Sequence, residues 1–149
     1  MSEVKNGRYE ESNGFAWYLN DKLHREDGPA FEGSDNTKMW YLNNQLHRED
    51  GPAIEWANGT KDWYLNGLKH RITGPAKEWS NSTRQWFING FKHREDGPAV
   101  EWANGTRDWF LNGVQLTEEE FNQWLMKKEL NEKLRHTLLP KQTIKRSKI

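Results

Sequence analysis

Cysteine is absent from all 149 residues, which excludes disulfides and thiolate metal sites and fits a reducing compartment. Long apolar runs are missing too. The opening "MSEVKNGRYEESNG" has no signal-peptide core, and no stretch has the length and hydropathy of a membrane span, so a cytosolic location and no membrane partner are expected. Aliphatic side chains are scarce: 30% of residues are charged and the mean hydropathy is −1.12, too polar for an ordinary aliphatic core. In their place stand nine tryptophans. Large aromatics bury more area per residue than aliphatics, so columns of them can stabilise a thin, sheet-like body.

The tryptophans are regularly spaced. Trp17, Trp40, Trp63, Trp86 and Trp109 recur every 23 residues, and His24, His47, His70 and His93 keep the same step, so no unit between about 13 and 113 has gained or lost a residue. A fixed period of this size marks a stack of supersecondary units. Within one unit, "TKDWYLNG" alternates as a strand, with Trp63 and Leu65 on one face and Asp62 and Tyr64 on the other. Asn66-Gly67 supplies residues that accept positive φ in a tight hairpin turn. The chain returns through "LKHR", is interrupted at Gly74-Pro75 and resumes as "AKEW". The expected architecture is mainly β: an antiparallel meander of hairpins, each repeat offset from the last by two strands. Trp40, Trp63, Trp86 and Trp109 are its expected structural ladder.

The motif W-Y/F-L/I-N-G-x-x-H-R-E-D-G-P-A-x-E-W-A-N-G-T resembles the tandem HREDGPA repeats found chiefly in tailed phages and other viruses. It is similar in pattern to MORN repeats, which also use about 23 residues per hairpin. The resemblance covers about residues 13 to 125, including the closing "LNGVQLTEEEFNQW". It implies an elongated, twisted sheet of MORN-like hairpins with a C-terminal capping helix. Repeats of this sort are mostly interaction modules, and fold does not fix function.

Departures from the internal consensus carry further information. Gly33 stands where Trp56, Trp79 and Trp102 stand later, as expected of a terminal unit with no earlier neighbour. The third unit, "HRITGPAKEWSNSTRQW", has Ile72-Thr73 for Glu-Asp, Lys77 at the position of Ile54 and Val100, and Ser82 for a turn glycine. Two readings stand: a specialised contact patch that includes Ile72, or drift at solvated positions.

Metal and catalytic readings of the repeats are opposed by geometry. Equivalent residues of adjacent hairpins lie two strand spacings apart, about 9 to 10 Å, whereas ligands of one zinc ion sit about 2 Å from it. Each histidine is therefore expected to serve a hydrogen bond beside a turn, with no metal and no cofactor. Arg25, Arg48, Arg71 and Arg94 are expected to pair with acids of their own or adjacent repeats. No nucleophile-base-orienter set, glycine-rich phosphate loop or HExxH occurs, so no enzyme is expected. The column Tyr18, Tyr41, Tyr64, Phe87 and Phe110 lies opposite the preceding tryptophans; it is either a structural ladder or an interface of amphipathic aromatics, with Tyr41, Tyr64 and Phe87 as candidate contacts.

After Leu116 the period stops, and residues 117–139 are expected as a helix. Thr117 and Glu120 form a capping box. Phe121, Trp124 and Leu125 cluster on one side and are expected to seal the array; Met126, Leu130 and Leu134 cluster nearly opposite and are candidates for a partner or a second copy, giving a homo-oligomer. Residues 126 to 149 carry eight basic residues (Lys127, Lys128, Lys133, Arg135, Lys141, Lys145, Arg146 and Lys148) against Glu129 and Glu132, and a formally neutral chain must hold the balancing negative excess elsewhere.

The resulting organisation is a lead-in (1–12), hairpin repeats (13–116), a helix (117–139) and a basic tail (140–149) expected to be disordered. The leading functional expectation is a non-catalytic scaffold that binds another macromolecule. From the resemblance it is a phage-encoded protein in the host cytoplasm that inhibits or redirects a host protein, including one of defence. Two alternatives remain: a nucleic-acid-associated protein that makes weak contacts through the tail, and a small-ligand sequestering protein.

Overall fold

The computed structural model describes residues 3–138, so the expected basic tail, 140–149, lies outside the described residues. The chain divides into a repeat unit ending at Leu116 and a helical unit beginning at Thr117.

The repeat unit contains a 12-stranded antiparallel sheet whose successive strands lie in chain order, the chain leaving the sheet between strand pairs to form two-stranded ribbons; Lys22–Leu23 pairs with Gly14–Leu19 off this path. From the second repeat onward each unit contributes two short strands, such as Ile54–Glu55 with Lys61–Asp62 and Lys77–Glu78 with Arg84–Gln85. This is the meander expected from the period. The lead-in also contributes, since Gly7–Glu11 pairs along its whole length with Gly14–Leu19 and forms the sheet's first strand. Gly33 therefore does not mark a unit without an earlier neighbour. It lies opposite Gly14, where an added Cβ would fall 2.1 Å from the Glu32 carbonyl oxygen.

The expected WYLN strand is divided. In the second to fourth repeats the tryptophan interrupts it, leaving residues such as Lys61–Asp62 in the main sheet and Tyr64–Leu65 in a separate two-stranded ribbon with Leu68–Lys69. Equivalent ribbons pair Tyr41–Leu42 with Gln45–Leu46 and Phe87–Ile88 with Phe91–Lys92. The backbone hydrogen bonds explain the break. Trp63 N–H donates to the Ala76 carbonyl at 2.8 Å, while its own carbonyl accepts from His70 N–H at 3.1 Å, so one residue ties together two different segments. The same pair of bonds recurs at Trp40 and Trp86; Trp17 makes it too, but there the strand Gly14–Leu19 stays continuous because Gly7–Glu11 pairs alongside it, with Arg8 opposite Trp17. Ribbons join their successors through bonds such as Gly67 N–H to the Leu46 carbonyl, 2.9 Å, and Arg48 N–H to the Tyr64 carbonyl, 3.1 Å. Their turns have positive φ at both central residues, as at Asn66 (50°) and Gly67 (77°), the twist that hairpins favour.

Register is fixed by two cross-strand rows. One reads Glu32, Lys38, Glu55, Lys61, Glu78, Arg84, Glu101, Arg107, alternating in sign at every step. Directly opposed charges of unlike sign stabilise a sheet, and a slip of one residue would exchange the two faces. The other row reads Ala16, Phe31, Met39, Ile54, Asp62, Lys77, Gln85, Val100, Asp108. It contains the buried Ile54 and Val100 and, unexpectedly for a core row, Asp62.

The tryptophans are not the innermost layer. Ala30, Ala53, Ala76 and Ala99, the alanines of the Gly-Pro-Ala segments, are fully buried, whereas Trp40, Trp63, Trp86 and Trp109 are half-buried. The carbonyls of these alanines accept the N–H groups of Trp17, Trp40, Trp63 and Trp86. In the helical unit, Glu118–Leu138 is helical and Thr117 caps it: Glu120 N–H donates to Thr117 Oγ1 at 3.1 Å and Thr117 N–H to Glu120 Oε2 at 2.8 Å. Phe121 is buried and packs against Trp124 with ring centroids 5.7 Å apart, while Met126, Leu130 and Leu134 are exposed. Among the described residues no helix is long and apolar enough to cross a membrane.

Candidate interaction surface

Each HRED segment builds the same small structure. The arginine guanidinium lies over the indole of its own repeat, 4.1 Å from the ring centre for Arg25 on Trp17, 3.9 Å for Arg48 on Trp40, and 4.0 Å for both Arg71 on Trp63 and Arg94 on Trp86. Its Nη1 donates to a proline carbonyl four residues on, as from Arg48 to Pro52 at 3.2 Å, and to a glutamate seven residues on, as to Glu55 at 3.1 Å. These are the ion pairs expected from sequence, and they are set on a half-buried, stacked base. In three repeats Nε also donates to the aspartate two residues on: Arg25 to Asp27 and Arg48 to Asp50 at 2.8 Å, Arg94 to Asp96 at 2.7 Å. That hydrogen bond and the guanidinium charge hold all three aspartate carboxyls below their ordinary range.

The histidines serve the next turn. Asn43 N–H donates to His24 Nδ1 at 3.2 Å, Asn66 N–H to His47 and Asn89 N–H to His70 at 3.1 Å, and Asn112 N–H to His93 at 3.0 Å. The side-chain Oδ1 of Asn43, Asn66 and Asn89 lies 2.9 to 3.1 Å from the same ring nitrogens of His24, His47 and His70. In the first, second and fourth repeats Nε2 faces a glutamate at 3.6 to 3.7 Å. Among the described residues no group of three or more His, Asp or Glu is placed to hold a metal ion. His47→Ala should therefore cost about 1 kcal/mol, one hydrogen bond to an exposed amide. A chelator should leave the melting temperature of the unaltered protein unchanged.

The aromatic column is less open than a bare contact surface. Tyr41, Tyr64 and Phe87 are half-buried, and burial pushes the Tyr41 and Tyr64 phenols up. Lys69 Nζ lies 5.4 Å from the Tyr64 ring centre and 5.2 Å from that of Phe87, and Lys92 lies 4.8 Å from that of Phe110. Open apolar surface occurs one step further along the ribbons. Leu68, Phe91 and Val114 immediately follow the turn glycines at the 23-residue step, and all three are exposed, Phe91 by 60%. Gln45 occupies the corresponding place in the second repeat. Leu68 and Phe91 rest on the following turns: a Cβ at Gly90 would lie 3.5 Å from Leu68, and one at Gly113 would lie 3.1 Å from Phe91. This ladder was not singled out from sequence, although three apolar residues after Asn-Gly at a fixed step are a readable signal for it.

The third repeat gathers the departures. Ile72 is the most exposed large apolar residue described, at 81%. Lys77 does not sit idle at a core position, because it ion-pairs with Asp62, its direct cross-strand neighbour. Asp62 is 2% exposed; its Oδ2 accepts from Trp56 Nε1 at 2.8 Å and from Lys77 Nζ at 3.2 Å. Lys69 Nζ lies 2.9 Å from Oδ1, within ion-pairing range though not aligned as a hydrogen bond. Lys77 is thus half of a compensated pair, a substitution that answers its neighbour. A groove of about 440 Å³ runs beside this repeat between successive HRED-type segments, lined by Arg71, Ile72 and Thr73 on one side and by His93, Arg94 and Asp96 on the other.

No protein-family model matches the chain and no curated protein matches it, so the informative comparisons are those of one repeat with another inside it.

Proposed function

We propose that the chain is a non-catalytic repeat scaffold that binds another protein along its ribbon edge. The observation that carries this reading is the ladder of Leu68, Phe91 and Val114, exposed in consecutive units of a chain with few aliphatic residues to spare. Contiguous apolar surface on a rigid support is what a protein partner covers, and an aromatic at its centre supplies the largest share of the contact. The exposed Met126, Leu130 and Leu134 on the helix add a second apolar stripe for a partner or another copy. The resemblance to phage-type repeats supports a host protein as the partner, inhibited or redirected by the contact.

Affinity capture from host lysate, with and without nuclease, tests the reading when the unaltered chain is compared with Leu68→Ser/Phe91→Ser. A stoichiometric protein that survives nuclease and is lost from the double variant is the expected result, the loss being at least about tenfold in affinity for a central aromatic contact. Amide exchange over 13 to 113 should be unchanged in the variant. Recovery of nucleic acid alone would replace this reading with the tail-based alternative.

A further inference from the structure

We propose, on the basis of the protein-binding reading above, that Arg71 and Ile72 form a recognition site for an aspartate or glutamate side chain of the partner, presented beside an apolar residue. The four equivalent arginines supply the comparison. All four stack on a tryptophan and donate Nη1 to a proline carbonyl and a glutamate; for Arg71 these are Pro75 at 3.1 Å and Glu78 at 2.9 Å. The other three give Nε to an aspartate carboxylate two residues on. In the third repeat that position is Thr73, and among the described residues Arg71 Nε has no carboxylate acceptor.

The missing partner leaves a donor that is already oriented. Trp63, Pro75 and Glu78 hold the guanidinium in place, so an incoming carboxylate need not order a free arginine side chain, a cost that ordinarily offsets much of such a contact. The chemistry of the ligand is specified by the siblings. At the corresponding place Asp27, Asp50 and Asp96 each put one carboxylate oxygen 2.7 to 2.8 Å from Nε. The same repeat also carries Ile72 where the others carry glutamate, so its loop lacks two negative charges and presents an exposed apolar side chain. Asp96 and Glu95 line the far side of the groove. His93 and Arg94 line that side too, and Asp96 is already held by Arg94; the one unfilled Nε–H matches a single carboxylate oxygen rather than a run of phosphates, which selects an acidic protein segment over a nucleic acid.

The test follows the arginine Nε–H resonances of the full chain by NMR while the blocked tripeptide acetyl-Leu-Asp-Leu-amide is added. Arg71 is expected to shift, with Arg25, Arg48 and Arg94 nearly still as internal controls. Thr73→Asp restores the aspartate that the other three repeats have at this position and should fill the site from within. It is expected to abolish the Arg71 shift, to leave the fold intact, and to weaken capture of the partner at least about tenfold, the scale of a charged hydrogen bond. Absence of an Arg71 shift with the tripeptide overturns the site, as does a shift produced only by a single-stranded oligonucleotide. A protein partner retained equally by Thr73→Asp and Ile72→Glu overturns the site and leaves the scaffold reading standing. Failure to capture any protein, with the Arg71 shift intact, has the opposite meaning.

Discussion

Asp62→Ala is expected to be the most damaging single truncation in the repeat unit, costing about 3 to 5 kcal/mol in urea denaturation, the range for removing one member of a buried charged set. Asp62 is almost wholly covered, and its loss would leave the Trp56 indole N–H and the Lys69 and Lys77 ammonium groups without their acceptor. Both lysine side chains keep about a fifth of their surface, 18% and 20%, so they can partly turn to water, which favours the lower end of the range. Lys77→Ile provides the contrast. It restores the residue type found at Ile54 and Val100, and Asp62 retains Lys69 and Trp56, so the loss should stay under about 1.5 kcal/mol. The double variant should recover part of the cost of Asp62→Ala, a coupling that a double-mutant cycle measures. A loss below about 1 kcal/mol for Asp62→Ala would mean that the cluster is not the electrostatic unit described.

Trp63→Ala should cost about 3 kcal/mol, the low end for a large aromatic because the ring is half-buried. The backbone bonds of residue 63 to Ala76 and His70 do not need the indole and should persist. What disappears is the platform under Arg71. Trp102→Ala, at a position 42% exposed, should cost distinctly less in the same thermal melts. Equal losses at the two positions would show that indole burial does not rank these sites.

The strand class, the turns and the duty of the histidines were legible because each is repeated at the 23-residue step, and the capping box because Thr117 and Glu120 lie three residues apart. The division of the WYLN strand at tryptophan was not, since alternation runs through Trp63 without interruption and the cause is a choice of hydrogen-bond partners distant in sequence. Burial of Asp62 was hidden for a related reason. An aspartate beside a lysine reads as solvent-exposed until the cross-strand row places it between Ile54 and Lys77. Its sign in the sequence was Lys77, which stands where others have Ile54 or Val100. Ile72 departs visibly from the repeat consensus, but the consequence of Thr73 needed the positions of the sibling aspartates on their arginines. The Leu68, Phe91 and Val114 ladder was missed because short ribbons carry too few residues to separate an inner from an outer face by pattern alone.

The bonds between units all span the same step: a turn amide to the preceding ribbon, an arginine amide to the following one, and a histidine nitrogen to the next asparagine. An in-frame duplication or loss of one internal unit would therefore rejoin surfaces that already fit. Recombination between copies can lengthen or shorten such a chain without passing through an unfolded ancestor, and a specificity lodged in one deviant copy is inherited, doubled or discarded as a single block.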